Sequence, residues 1–183
     1  MRRGFTLVEI TLAMGIMATG VLSIVGLYAF GYRESSQSRE DVGATAVADA
    51  VLGQLTMALT ATNLKWSVFK DLPSYPSDNG WGEFVNQQTG RITGDPTSRA
   101  ASDFAALMSR LSGGCVGQLR CDTSFPNGAL SGTGLKCGLV VQHTQDSAIV
   151  RIAFRAMRHH QDLLSAPMFY TEAKFMGVED TNQ

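Results

Sequence analysis

The stretch that decides the fold is residues 10–32, ITLAMGIMATGVLSIVGLYAFGY, which carries no charged side chain. As an α-helix, these 23 residues are long enough to cross the roughly 30 Å hydrocarbon layer of a bilayer. Arg2 and Arg3 precede the run, and residues 33–41 after it carry both signs of charge. The positive-inside bias therefore predicts a single membrane helix, with its N-terminal end in the cytoplasm and the rest of the chain outside. The competing interpretation, a secretory signal cleaved after Gly31, requires a shorter apolar region of about 7–15 residues.

Apolar residues continue beyond this run, but now on one side of a helix. Ala44, Val47, Val51, Leu55 and Leu59 recur every three or four residues. One helix is therefore predicted from about residue 6 to residue 62, about 85 Å long at 1.5 Å per residue. An amphipathic second half needs a partner that covers its apolar stripe.

Three segments near the C-terminal end are typical of strands. Residues 135–143, LKCGLVVQH, and 147–157, SAIVRIAFRAM, are rich in β-branched and aromatic residues, and a short polar turn joins them into a hairpin. Residues 166–176 supply a third strand. The predicted fold class is α+β, with the long N-terminal helix packed on a small antiparallel sheet.

Two turn-rich loops and a short helix are expected between the long helix and the sheet. Residues 71–82 and 113–138 are predicted as loops from their Gly, Pro, Asp and Asn content. Residues 102–111, SDFAALMSRL, are predicted as a helix with Ser102 as its N-cap.

The first nine residues, MRRGFTLVE, resemble the N-terminus of type IV pilins and type II secretion pseudopilins. The resemblance implies that a prepilin peptidase, a membrane aspartic enzyme, cuts between Gly4 and Phe5 and that the new amine of Phe5 is methylated. It also implies a leader at 1–4, a transmembrane and filament-core helix at 5–32, an amphipathic continuation at 33–63 and an extracytoplasmic pilin-like domain at 64–183.

The same resemblance implies the partners of the helix. It first lies in inner-membrane lipid and then packs against other pilin or pseudopilin subunits in a pilus or pseudopilus, through the action of an assembly platform and ATPase. Glu9 is then an assembly residue. A carboxylate at membrane depth costs at least about 2.5–3.5 kcal/mol, and pairing with a neighbour's Phe5 ammonium at 4 Å returns about 4 kcal/mol at an effective dielectric of 20. The alternative is that Glu9 stays hydrated at the cytoplasmic interface.

Cys115, Cys121 and Cys137 are disulfide candidates because they lie in the part predicted to be outside the cytoplasm. One bridge is expected, and both Cys115 with Cys121 and Cys121 with Cys137 remain possible. The spacings fit no zinc pattern, and the acidic pair near the C-terminal end, Glu179 and Asp180, is weak evidence for calcium. No metal and no cofactor are predicted.

Composition and motifs also exclude some classes of function. With 15 Lys and Arg against 16 Asp and Glu, the chain lacks the basic footprint of a nucleic-acid-binding protein. No nucleophile motif surrounds the residues that catalysis could use, so no enzyme is predicted. Those residues are Cys115, Cys121, His143, His159, His160 and Asp162.

The predicted function is that of a structural subunit, a minor pilin or pseudopilin. The alternative is a membrane-anchored or pilus-associated binding module. Its loops around Trp81 or residues 115–137 would capture a surface, a secreted protein or DNA. Trp66 and Trp81 are each expected to pack against the core rather than to stack on a ligand.

Overall fold

A computed structural model of the chain describes residues 6–77, 80–86, 88–89, 94–117, 124–126, 135–144, 147–157 and 162–179. In chain order its helices are α1 (Leu7–Leu59), α2 (Trp66–Lys70) and α3 (Pro96–Gly114), and its strands are β1 (Lys136–His143), β2 (Ile149–Met157) and β3 (Met168–Lys174). Within the described residues, 3₁₀ helices lie at Gly80–Phe84 and Leu163–Ser165. The chain divides into two compact units, Met1–Asp41 and Val42–Gln183.

The first unit contains the N-terminal part of α1. This part is apolar on every side, and its large side chains are exposed, from Leu7 at 79% to Tyr32 at 72%. It is the one described helix long and apolar enough to cross a membrane, with a best 18-residue window of mean hydropathy 2.1 and none of that window buried. The length and composition are consistent with a membrane anchor.

The second unit is built on the C-terminal part of α1. The side chains predicted to form an apolar stripe are buried here, and they share one core with α3 and one face of the sheet. The helix contributes Ala44, Val47, Ala48, Val51, Leu55, Ala58 and Leu59. The predicted long helix and the α+β fold class are confirmed.

The sheet has three antiparallel strands in the order β1-β2-β3. Cys137 pairs with Ala156 between β1 and β2, and Phe154 pairs with Phe169 between β2 and β3. Alternate residues of the strands face the α1 core, as the period-two pattern of a strand requires. The predicted hairpin and third strand are both present.

A second, smaller cluster lies on the opposite face of the sheet. Val140 packs there with the two 3₁₀ helices through Phe84 and Leu163, and Trp81 lies against them. The Arg155 guanidinium stacks on Trp81 at 5.2 Å and donates from Nη1 to the carbonyls of Leu163 (3.0 Å) and Leu164. Arg155 therefore caps the C-terminal end of the second 3₁₀ helix and holds it on the sheet.

The connection between α1 and α2 is paired on both sides. Val116 N donates to Asn63 O at 2.8 Å on one side. Val178 N donates to Leu64 O at 2.9 Å on the other. A Cβ at Gly177 would lie 2.0 Å from Leu64 O, so this close approach of two backbones requires glycine. The C-terminal segment is thus fixed beside the end of the long helix.

Several element boundaries differ from the sequence-based expectations. The predicted N-cap Ser102 is wrong: α3 starts at Pro96, and the Asp95 side chain caps it by accepting from Thr97 N at 3.1 Å. The predicted loop at 71–82 ends inside the first 3₁₀ helix. The predicted loop at 113–138 is wrong at both ends, since its first two residues belong to α3 and residues 136–138 belong to β1.

Candidate assembly site at the start of the long helix

Glu9 and Thr6 form a reciprocal cap at the first turn of α1. The backbone N–H of Thr6 donates to Glu9 Oε2 at 2.9 Å, and its hydroxyl donates to the same oxygen at 3.0 Å. In return, Glu9 N donates to Thr6 Oγ1 at 3.3 Å. This is a capping box, in which the N-cap and N3 residues satisfy each other's backbone donors. We refer to it below as the Thr6–Glu9 capping box.

The capping box gives Glu9 a local role that sequence reasoning missed. The carboxylate complements the positive end of the helix and satisfies N–H groups that the helix itself leaves unpaired. The signal was present in the sequence, because Thr6 and Glu9 have the T-x-x-E spacing that precedes an apolar run. The cap within its own helix is thus one physical reason why an acid is tolerated at this position, and the charge pair of Glu9 with a neighbour stays a prediction.

The two oxygens of Glu9 differ in what they contact. Both donors of Thr6 converge on Oε2. Among the described residues, no hydrogen bond to Oε1 is formed. Glu9 also borders a shallow groove on the helix surface, whose other walls are Ile10, Ala13, Met14 and Met17. A carboxylate oxygen is therefore presented at the end of an apolar groove.

Gly4 and Phe5, the predicted processing residues, lie outside the described residues. Their roles stay predictions that rest on the sequence motif.

The cysteine candidates occupy different environments. Cys115 is the half-buried C-cap residue of α3, and Cys121 lies outside the described residues. Cys137 is a buried free thiol in β1, and burial raises the pKa of that thiol to about 12, against a hydrogen bond to Thr97 that lowers it. A thiol with this pKa stays protonated and unreactive at neutral pH.

The remaining candidates have packing roles where the structure describes them. The two ring nitrogens of His143 contact backbone carbonyls, Leu72 O at 3.2 Å and Ser147 O at 2.9 Å. Trp66 packs edge-to-face on Phe175 with ring centroids 4.9 Å apart. Trp81 belongs to the second cluster. The expectation that both tryptophans pack against the core is confirmed.

Several candidates fall partly outside the described chain. His159, His160 and Asp180 lie outside it, whereas Asp162 immediately precedes the second 3₁₀ helix and Glu179 is exposed. Within the described residues, no group of three or more His, Cys, Asp or Glu side chains is placed to hold a metal ion.

Three further shifted pKa values in the second unit arise from structural contacts. Burial raises the pKa of Asp103, and the nearby Arg99 guanidinium partly offsets this. The hydrogen bond from the Tyr170 hydroxyl to Glu172 raises the pKa of the phenol and lowers that of the carboxyl.

Comparison with family models, with curated proteins and with solved structures found no match for this chain. The resemblance of the N-terminal motif to pilins and pseudopilins therefore stays a prediction from the sequence.

Proposed function

We propose that the chain is a filament subunit of the pilin or pseudopilin kind, a minor subunit processed between Gly4 and Phe5. The observation that carries the proposal is an apolar helix segment, exposed along its whole length, that begins with an acid. The N-terminal motif MRRGFTLVE and the α+β unit that follows support the same function. Lipid covers this segment before assembly, and neighbouring subunits cover it afterwards.

Exposed side chains of this kind need cover from outside the chain. Leu22 is 71% exposed and Met17 is 71% exposed, and burying a side chain of this size is worth about 1.5–3 kcal/mol. In the second unit, by contrast, many of the described large apolar side chains are already buried in two core clusters. The first unit therefore has the long exposed apolar segment that an external apolar partner would cover.

A second copy of the chain provides a complementary partner for the groove beside Glu9. Its helix offers the apolar surface that the groove of Ile10, Ala13, Met14 and Met17 would take. Cleavage before Phe5 creates an ammonium group, whose charge complements the Glu9 carboxylate. Such a pair at 4 Å is worth about 4 kcal/mol at an effective dielectric of 20, comparable to the cost of placing the acid in lipid.

Processing is tested on the chain as expressed in cells that assemble the filament. Gly4→Ala is expected to block cleavage, so the protein keeps the slower gel mobility of the precursor. Mass spectrometry of the wild-type protein is expected to find a mature chain beginning at a methylated Phe5. A mature chain that begins after the apolar segment would overturn the proposed function.

The charge pair is tested with Glu9→Gln. Glutamine also serves as the N3 residue of a capping box, so this change removes the charge and keeps an accepting oxygen. We expect normal cleavage but about tenfold less protein in sheared filaments, a loss of about 1.4 kcal/mol. Glu34→Gln is the matched control, because Glu34 is another exposed acid on α1. Equal incorporation of both variants would contradict the pairing role of Glu9.

A further inference from the structure

Thr6 holds the Glu9 carboxylate in a single orientation. Its backbone N–H and hydroxyl both bind Oε2, at 2.9 and 3.0 Å, and the Glu9 N–H returns a bond to the hydroxyl oxygen. The Thr6 carbonyl meanwhile accepts the first hydrogen bond of the helix, from Ile10 N at 3.3 Å. Thr6 is therefore hydrogen-bonded to the first turn of the helix, and its two donors hold the Glu9 carboxylate.

This arrangement has a consequence for docking. A free glutamate side chain samples many rotamers, and ordering it on binding reduces affinity. A side chain already ordered by hydrogen bonds avoids that loss, as the supporting contacts of a preorganised site do. Because Oε2 takes both bonds from Thr6, Oε1 is the oxygen presented to an incoming cation.

We propose that Thr6 is a positioning residue for subunit docking, which acts by orienting Glu9 so that Oε1 receives the ammonium group of a neighbouring copy. This inference rests on the proposed function, since it needs a second copy with a free Phe5 amine. A helix cap alone is the competing explanation. A cap would matter equally whether or not residue 9 carries a charge.

Substitutions of Thr6 in two backgrounds separate the explanations. Thr6→Ser keeps a hydroxyl that can form the same bonds, whereas Thr6→Val has nearly the same shape but a side chain that neither donates nor accepts, so only the backbone N–H bond to Glu9 Oε2 remains. Each is made in the wild-type chain and in Glu9→Gln, which can still form the cap but has no charge. The measurement is the amount of subunit in sheared filaments per cleaved subunit, from quantitative blots.

We expect Thr6→Val to lower incorporation about fivefold in the wild-type background, the effect of losing one hydrogen bond of typical net strength. Thr6→Ser is expected to stay within about twofold of the wild type, because serine caps helices at least as well as threonine. In the Glu9→Gln background, Thr6→Val is expected to change incorporation less than about twofold, since the charge that Thr6 orients is gone.

Each other outcome overturns a different statement. A fivefold loss in both backgrounds would leave Thr6 as a helix cap only and sink the positioning role, with the proposed function intact. Wild-type incorporation of Glu9→Gln would refute the charge pair itself. A failure of cleavage in Thr6→Val would place the role of Thr6 in processing and overturn the inference.

Discussion

Two stretches of the same helix contain similar side chains in opposite environments. In the first unit, Leu22 is 71% and Val25 is 59% exposed. In the second, Val51 and Leu55 are both 0% exposed. The difference lies in the neighbouring sequence, because apolar residues surround the first stretch on all sides, whereas the second has one apolar stripe between polar residues.

The comparison separates the apolar residues that the fold itself covers from those that need cover from outside the chain. In the second stretch the apolar residues lie on one side of the helix, and α3 and the sheet cover that side. A helix that is apolar all round needs cover on all sides, which a membrane or a bundle of other helices supplies. The Val42–Gln183 unit can therefore be stable by itself, whereas the earlier segment depends on its surroundings.

The largest expected effect comes from shortening one leucine in each stretch. Leu55→Ala removes a fully buried side chain and leaves a cavity, so we expect the free energy of unfolding to fall by about 2–5 kcal/mol. Leu22→Ala is expected to leave the stability of the second unit unchanged within about 0.5 kcal/mol. Urea denaturation of the full chain in detergent measures both, with fluorescence from Trp66 and Trp81, which lie in the second unit.

The outcome that would break the comparison is an equal loss of stability in the two leucine variants. Such a result would mean that the second unit depends on apolar contacts made by residues 10–32.

Glycine substitutions test the same comparison with smaller expected changes in the free energy of unfolding. A Cβ at Gly26 would meet nothing within 4 Å, whereas one at Gly114 would lie 2.5 Å from Val68 Cγ1. We expect Gly114→Ala to lower the free energy of unfolding by about 1–3 kcal/mol through overpacking between α2 and α3. Gly113→Ala is the matched control, since a Cβ there is unobstructed and alanine favours the helix by about 0.5–1 kcal/mol. Equal stability of Gly113→Ala and Gly114→Ala would show that Val68 moves aside.

Local patterns in the sequence predicted most of the architecture. The period of Val47, Val51 and Leu55 predicted the packed side of α1, and the β-branched runs predicted three strands whose bounds agree within two residues. The start of α3 was missed although its signals are local: Asp95 and Pro96 are a typical N-cap followed by proline at the first helical position. The T-x-x-E spacing of Thr6 and Glu9 is likewise a local signal, from which the capping box could have been predicted.

Other features depend on contacts between residues far apart in the chain. Arg155 caps the carbonyls of residues 163 and 164 while it stacks on Trp81, and no local pattern specifies that combination. The pairing of the connector at residues 63–64 with Val116 and Val178 likewise exists only once the helices and strands have packed. A single sequence contains no period or motif from which such pairs follow.

The smallest expected effect concerns the buried Cys137 thiol of the second unit, whose titration makes the free energy of unfolding depend on pH. Its pKa of about 12 in the fold lies above the ordinary value of 9.0 because burial disfavours the thiolate. Above pH 9 the unfolded chain loses this proton while the folded chain keeps it, so the unfolded state binds fewer protons and stability falls as pH rises towards 12. Below pH 9 the stabilisation from the neutral thiol is complete.

The difference in stability between wild type and Cys137→Ala isolates this thiol from lysines and tyrosines that titrate in the same range. Relative to pH 8, the advantage of the wild type is expected to shrink by about 1.4 kcal/mol at pH 10, one unit above the ordinary pKa. Maleimide labelling gives an independent measure in a chain with Cys115→Ala and Cys121→Ala. Cys137 should react only on unfolding, whereas Ser36→Cys, on an exposed position of the first unit, should react at once. Rapid labelling of Cys137 in the folded chain would mean that β1 opens locally, so the core of the second unit would be less closed than its buried leucines indicate.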